Sequence, residues 1–220
     1  MEKNIHQIWI GPYNIPKREK QFIEKVKQIH TDWNHLLWTD ENLPDMPDNI
    51  REAYEYFGSR RGEYAFQADV LRLFLVYKFG GMYFDVDFEP MDKGISSGNF
   101  ENYDVVLYHH DNTDYTIPNP FFGCAAGNPL FEYLVSKVDV KINHWYGPSW
   151  MGIEVKKYFG LEYETPHDIL NEKIEKMNGK YIIVHEFDKM FRHRALYSWS
   201  PQNIPQFEKG NSDYLTEGYI

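Results

Sequence analysis

Residues 64–88 constrain the fold more than any other stretch of this chain. From 64 to 79, Leu71, Phe74 and Leu75 recur at helical spacing, and Gly80-Gly81 then stops the helix. Residues 82–88 read as a strand, with Met82, Phe84, Val86 and Phe88 on one face and Tyr83, Asp85 and Asp87 on the other. The chain opens with strand, helix and strand at 5–10, 17–30 and 35–39, an order that predicts an α/β domain with a largely parallel sheet and a right-handed crossover. Pro44 and Pro47 precede a short helix at about 49–57. Further strands are expected at 103–108, 121–126 and 181–184, and further helices from Pro129 to about Val138 and near 152–159. No repeat or Ser/Gly-rich linker divides the 220 residues, so one domain with one active site is expected, with an irregular tail at 201–220.

The acidic strand face needs a physical account. Aspartate is disfavoured in strands, and two carboxylates on one face repel unless water or a cation lies between them. A hard divalent ion, Mg2+ or Mn2+, suits such oxygens and commonly completes its shell with substrate phosphates. The plain alternative is a solvated strand edge. In the preceding helix Asp69 and Arg72 stand three apart and share a face. Taken alone they suit an exposed ion pair contributing about 0.2–0.5 kcal/mol. Taken with Asp85 and Asp87, they border one cleft.

A formal charge of −10 argues against a broad nucleic-acid surface, which works by Lys and Arg displacing counterions. Phosphate bound by so acidic a protein needs a cation or a few well-placed positive groups. Cys124 is the single cysteine, so an intrachain disulfide and a Cys-rich zinc site are excluded, and it reads as plain core. The first six residues lack the apolar region of a signal peptide, no stretch approaches a membrane span, and Asn-X-Ser/Thr sites are absent. A reducing, cytoplasmic setting is expected.

Three segments together carry a family resemblance: His6-Gln7-Ile8-Trp9-Ile10-Gly11, then Ala65-Phe66-Gln67-Ala68-Asp69-Val70-Leu71-Arg72, then Gly80-Gly81-Met82-Tyr83-Phe84-Asp85-Val86-Asp87. The set resembles the DXD-containing sugar-binding glycosyltransferases related to yeast initiation-specific α-1,6-mannosyltransferase, and clostridial glucosylating toxins carry a similar core. Weaker blocks follow at Trp38-Thr39-Asp40, Asn119-Pro120, Gly147-Pro148, Val184-His185 and Ser198-Trp199. Two departures stand out: Ala68 occupies a position where the family usually has Ser, and a long insertion separates the His and Ser-Trp blocks.

The resemblance implies a GT-A type, Rossmann-like α/β sandwich with a mixed, mostly parallel sheet, and a hexosyl transfer that retains anomeric configuration. The donor would be a nucleotide diphosphate sugar, UDP favoured over GDP by analogy, and the acceptor a glycan hydroxyl. Residues 1–90 would hold the nucleotide and 91–200 the acceptor side. Ile8, Trp9 and Ile10 would line the base pocket with Trp38 nearby, and Tyr83 would lie beside the nucleoside. Asp69 and Arg72 would contact donor sugar and diphosphate. Asp87 would ligate Mn2+ or Mg2+, Asp85 would bind ribose or the metal through water, and His185 would complete the shell.

Each assignment has a structural counterpart: Trp9 and Trp38 as core aromatics, Tyr83 as a half-buried strand residue, His185 as a structural histidine. His193, His109 and His110 compete with His185 for the metal. A metal-dependent phosphotransferase or phosphatase would also need two carboxylates, but Phe88-Glu89 offers no hydroxyl to hold phosphate. A non-catalytic carbohydrate-binding protein would share the aromatic content. Walker A and Gly-X-Gly-X-X-Gly patterns are absent. The sequence does not specify donor sugar, acceptor, a nucleophile or oligomeric state.

Overall fold

The computed structural model describes residues 1–59, 64–91, 93–97, 99–109, 117–143, 145–177, 180–184 and 190–194. The opening strand–helix–strand unit is present as β1 (Asn4–Ile8), α1 (Lys17–Ile29) and β2 (Asn34–Trp38). α1 buries Phe22, Ile23 and Val26 on one face, the stripe that its spacing foretells. Two helices follow, α2 (Asp48–Gly58) and α3 (Tyr64–Phe79), and then β3 (Gly81–Phe84). Gly80 and Gly81 hold φ of +64° and +111°, so the helix stop lies in the backbone region that glycine occupies at least cost.

After β4 (Phe88–Pro90) come β5 (Val105–Tyr108) and β6 (Phe121–Cys124), then α4 (Pro129–Ser136), α5 (Pro148–Tyr158), α6 (His167–Glu175), β7 (Tyr181–Val184) and β8 (Phe191–His193). Six strands make one sheet in the order β2-β1-β3-β6-β5-β7, and β4 pairs with β8 in a separate ribbon. β1 runs parallel to β2 and β3, and β5 to β7, while β6 lies antiparallel between β3 and β5. The sheet is therefore mixed and mostly parallel, the GT-A type, Rossmann-like sandwich that the sequence implied.

Alternation divides the core between the two faces. Tyr83, Val105, Leu107 and Phe122 join α3, α4 and α5 on one side, whereas Met82, Phe84, Val106 and Phe121 pack with Val26, Phe88 and Phe191 on the other. Among the described residues no helix is long and apolar enough to cross a membrane.

One expected element is corrected. The strand read over 82–88 ends at Phe84, and the acidic residues lie in the turn that leads to β4. In the antiparallel ladder Phe84 faces Phe121, so the next partner is Pro120. Asp85 N–H donates to the Pro120 carbonyl at 3.1 Å, but proline has no N–H to return the bond. The ladder stops, and Phe88 N–H donates to Asp85 O at 3.3 Å to close a turn. α6 and β8 were not anticipated, and the helix expected near 152–159 starts earlier, at Pro148 in its first turn. The tail 201–220 and the Ser198-Trp199 block lie outside the described residues.

Candidate functional site

β1 has β2 on one side and β3 on the other. The chain thus leaves β1 in one direction and later returns to its opposite flank. Ligands of open α/β sheets collect outside the carboxyl ends of strands at such a reversal. Ile8 ends β1 and Phe84 ends β3 at this edge, where α3 begins and the segment preceding β6 arrives.

α3 supplies Asp69 and Arg72, which are buried at 9% and 6% exposure, so their pairing is not the exposed bridge that spacing alone suggests. Arg72 Nη2 lies 3.2 Å from Asp69 Oδ1 and 3.4 Å from Asp85 Oδ1. Its Nε–H donates to Ala68 O at 3.2 Å and its Nη1–H to Asn119 O at 3.0 Å. The guanidinium carbon sits 4.8 Å from the centre of the Tyr83 ring, and the Tyr83 hydroxyl donates to Asp85 Oδ1. Asn119 Nδ2–H in turn donates to Asp69 Oδ1 at 2.7 Å. Asp69, Arg72, Tyr83 and Asp85 therefore form one network, locked by Asn119 from the segment before β6.

Burial works against the charge on Arg72, but the carboxylates of Asp85, Asp69 and Asp87, together with Tyr83, hold its pKa above the ordinary range. Burial raises the Asp69 carboxyl against the opposing pull of Arg72, and pushes the Tyr83 phenol well up. Three carboxylates act on one guanidinium, so the cluster carries an excess of negative charge when all are ionised.

Asp87 is 8% exposed, and its carbonyl accepts from Arg194 N–H at 3.1 Å, just past β8. These hard oxygen donors fit Mg2+ or Mn2+: such ions need one or two protein carboxylates when substrate phosphates supply the rest. Among the described residues no group of three or more His, Cys, Asp or Glu side chains is placed to hold a metal without such help. His185 and His110 lie outside the described residues. His193 pairs through its backbone with Phe88, one residue beyond Asp87. His109 lies against His167, with ring centres 4.1 Å apart and planes tilted by 43°.

Ile8 and Ile10 are buried in the core at the edge of β1. Trp9 is half-buried and its indole N–H donates to Tyr13 O at 2.7 Å. Gly11 N–H donates to Asp40 Oδ2 at 2.7 Å, which also accepts at Oδ1 from Tyr54. Trp38 is committed to the core: it stacks on Phe79 at 5.4 Å and donates its N–H to His6 Nδ1 at 3.0 Å. Cys124 is buried, with its thiol pKa pushed well up, as plain core requires.

Sequence reasoning missed two contributors. Asn119 was noted only within a family block. Glu19 was not noted at all: it is fully buried in the first turn of α1, ion-paired to Arg18 at 2.6 Å, with Oε2 making no hydrogen bond. Burial raises its carboxyl, and the charge of Asp87 adds to the shift. A signal existed, since Glu19 precedes Phe22, Ile23 and Val26 by three, four and seven residues and so falls on the apolar stripe.

The chain is similar to known glycosyltransferases. Residues 16–114 match the family described as "Glycosyltransferase sugar-binding region containing DXD motif". Inositol phosphoceramide mannosyltransferase 1 of Schizosaccharomyces pombe is 27% identical over 184 residues, 74% of this chain and 53% of that protein. Mannosyl phosphorylinositol ceramide synthase SUR1 of Saccharomyces cerevisiae is 33% identical over 173 residues, 71% of this chain and 42% of that protein. The chain thus spans about half or less of the length of these relatives. Among solved structures, the PaToxG glycosyltransferase superposes with a TM-score of 0.57 at 18% identity, covering 80% of this chain and 75% of that one. The UDP-bound glycosyltransferase domain of the YGT toxin gives 0.52 at 12% identity, covering 87% and 80%. These two likenesses concern the fold.

Proposed function

We propose that this chain is a GT-A-fold member of the DXD-containing glycosyltransferases related to fungal mannosyltransferases, and that it moves a hexosyl group from a nucleotide diphosphate sugar to a glycan hydroxyl, with retention and with a divalent cation. The observation that carries the reading is the convergence of Asp69, Arg72, Tyr83, Asp85 and the Asp87 turn where the order of parallel strands reverses. A departing nucleotide diphosphate gains negative charge, and a group that meets this charge more strongly in the transition state than before it accelerates departure. Arg72 is oriented for that task by four acceptors and a ring face, so it needs little rearrangement as charge develops. Asp87 would ligate Mn2+ or Mg2+, with Asp85 binding ribose or the metal through water, and such an ion would supply further neutralisation of the diphosphate.

Asp69 faces the donor sugar in this reading, fixed by Asn119. Ile8, Trp9 and Ile10 flank the base at the end of β1, and Tyr83 acts mainly from beneath, setting Asp85 and Arg72. His185 stands as the third metal ligand, with His193 as its competitor on the strength of its backbone register. No side chain is assigned as nucleophile. The chain acts as one unit, with residues 1–90 for the nucleotide, 91–200 for the acceptor side and 201–220 as a tail, in a cytoplasmic setting argued from the lone Cys124. UDP is supported by the fold likeness, mannose by the names of the fungal relatives.

Release of nucleotide diphosphate from a panel of UDP- and GDP-hexoses, with and without Mn2+, tests the proposal. Acceptors should include oligosaccharides and an inositol phospholipid, which the names of the relatives suggest. Chelation is expected to abolish turnover, and Asp87→Asn to lower kcat/KM at least a hundredfold. Turnover that survives both treatments would remove the acidic turn from the mechanism.

A further inference from the structure

The loop between α4 and α5 presents an aromatic surface that the donor site does not use. Trp145 is 49% exposed and is the one aromatic among the large apolar side chains left exposed in the described residues. Exposure of so large a ring normally goes with mobility, yet this indole is braced on three sides. Asn143 clasps its backbone, accepting from Trp145 N–H at 3.3 Å and donating from Nδ2 to Trp145 O. The ring meets Phe66 at 5.1 Å with planes 60° apart. Gly147 leaves room for it: a methyl group there would come within 2.7 Å of Nε1. The next residue, Tyr146, is buried and its hydroxyl accepts from Asp139 N–H and donates to Asn143 O.

This rigid surface is tied to the acidic cluster by short links. Tyr146 O accepts from Asn119 Nδ2, the same amide nitrogen that donates to Asp69. Phe66 lies one helical turn before Asp69 on α3, so ring and carboxylate share a face. The Trp145 indole N–H has no hydrogen-bond partner among the described residues, which leaves a donor at the rim of an apolar plate.

The geometry points to Trp145, seated on Phe66, as the platform for a neutral pyranose ring of the acceptor glycan, an assignment that rests on the transferase reading above. The axial C–H bonds of a pyranose carry partial positive charge and suit the negative face of an indole, while its rim hydroxyls suit the N–H. With a divalent cation in place beside the donor diphosphate, the three carboxylates and one guanidinium of the adjoining cluster would be balanced, so the acceptor need bring no charge of its own. A glycan acceptor hydroxyl brought in from this side meets the donor sugar near Asp69.

Two measurements on the full chain test the platform. In saturation-transfer NMR with methyl hexopyranosides, wild-type protein is expected to label the sugar C–H protons. Trp145→Ala is expected to lose that labelling, and so is Gly147→Ala, which keeps the indole but displaces it. In turnover with an accepted donor and an oligosaccharide, the ratio of transfer to donor hydrolysis is expected to fall at least tenfold in Trp145→Ala and to recover to within about threefold in Trp145→Phe. An unchanged ratio, or a rise confined to the KM of the nucleotide sugar, would overturn the assignment, the latter by placing Trp145 at the donor. Labelling of lipid acyl protons in inositol phospholipid vesicles, with none of the hexosides, would overturn it in favour of an apolar partner. If no donor turns over at all, the transferase reading fails, and the hexoside labelling alone decides whether the plate binds sugar.

Discussion

Arg72 makes the strongest single commitment in the site. Its planar fork meets four acceptors, Ala68 O, Asn119 O, Asp69 and Asp85, a pattern that an ammonium cannot copy. Truncation leaves carboxylates buried and unpaired, so Arg72→Met is expected to cost about 3–5 kcal/mol in urea unfolding at neutral pH. Asp69→Asn in the same background should recover part of that loss, because it removes one of the stranded charges; a double variant no more stable than Arg72→Met would show that the pair is not coupled. The sequence places Asp69 and Arg72 on one helix face, but spacing is identical for an exposed pair and a buried one. What buries them is Asn119 and its neighbours, which arrive from far along the chain and leave no local mark. The acidic pair drew attention through a cost that the fold removes: it was read on a strand, where two aspartates are disfavoured, and it lies in a turn, where they are not. Glu19 shows the limit of reading by motif, since a lone glutamate on a helix draws attention only when it is checked against the apolar stripe.

Among the elements, boundaries set by local chemistry were readable and those set by pairing were not. α3 ends where Gly80-Gly81 predicts, because positive φ is a property of the residue itself. The end of β3 depends on Pro120 across the ladder, which alternation within 82–88 cannot reveal. β8 is three residues long and takes its existence from β4, so it carries no signal of its own. α6 was missed although it left a local signal, since His167, Leu170 and Ile174 keep helical spacing after Pro166. Two glycines separate backbone strain from close approach. At Gly127, φ is +70° and a methyl group would meet nothing within 4 Å, so Gly127→Ala is expected to cost about 1 kcal/mol. At Gly81, φ is +111° and the methyl would stand 2.3 Å from Asn4 O in β1, so Gly81→Ala adds a collision between neighbouring strands to strain of about 1–3 kcal/mol. Thermal unfolding of the two variants should therefore differ by several degrees or more, and equal melting temperatures would mean that β1 and β3 yield easily at this point.

At the scale of the whole molecule, the sheet and the helix layer above it meet at His6. The ring lies beside the stacked pair of Trp38 in β2 and Phe79 in α3, with Nε2 2.9 Å from Gly80 O and Nδ1 accepting the Trp38 N–H. Those partners select the neutral tautomer with its proton on Nε2, because a proton on Nδ1 would oppose the indole N–H. Burial pushes the His6 pKa from 6.5 down to about 4, against the raising effect of the Gly80 bond. The sign follows directly: the unfolded chain takes up the proton below pH 6.5 and the folded protein resists until about 4. The His6 contribution is fully present above 6.5 and is lost as pH falls toward 4, at about 1.4 kcal/mol per pH unit and about 3 kcal/mol in all, and His35 and His30, also lowered by burial, add to the same slope. Trp38→Phe keeps the ring stack but removes the opposing N–H, so His6 protonates more easily in the folded state and the acid slope shallows. Urea midpoints at pH 7, 6 and 5 read that slope. If Trp38→Phe falls as steeply as wild type, burial alone sets the His6 charge, and the strand-to-helix joint beneath the candidate site draws no pH sensitivity from the indole.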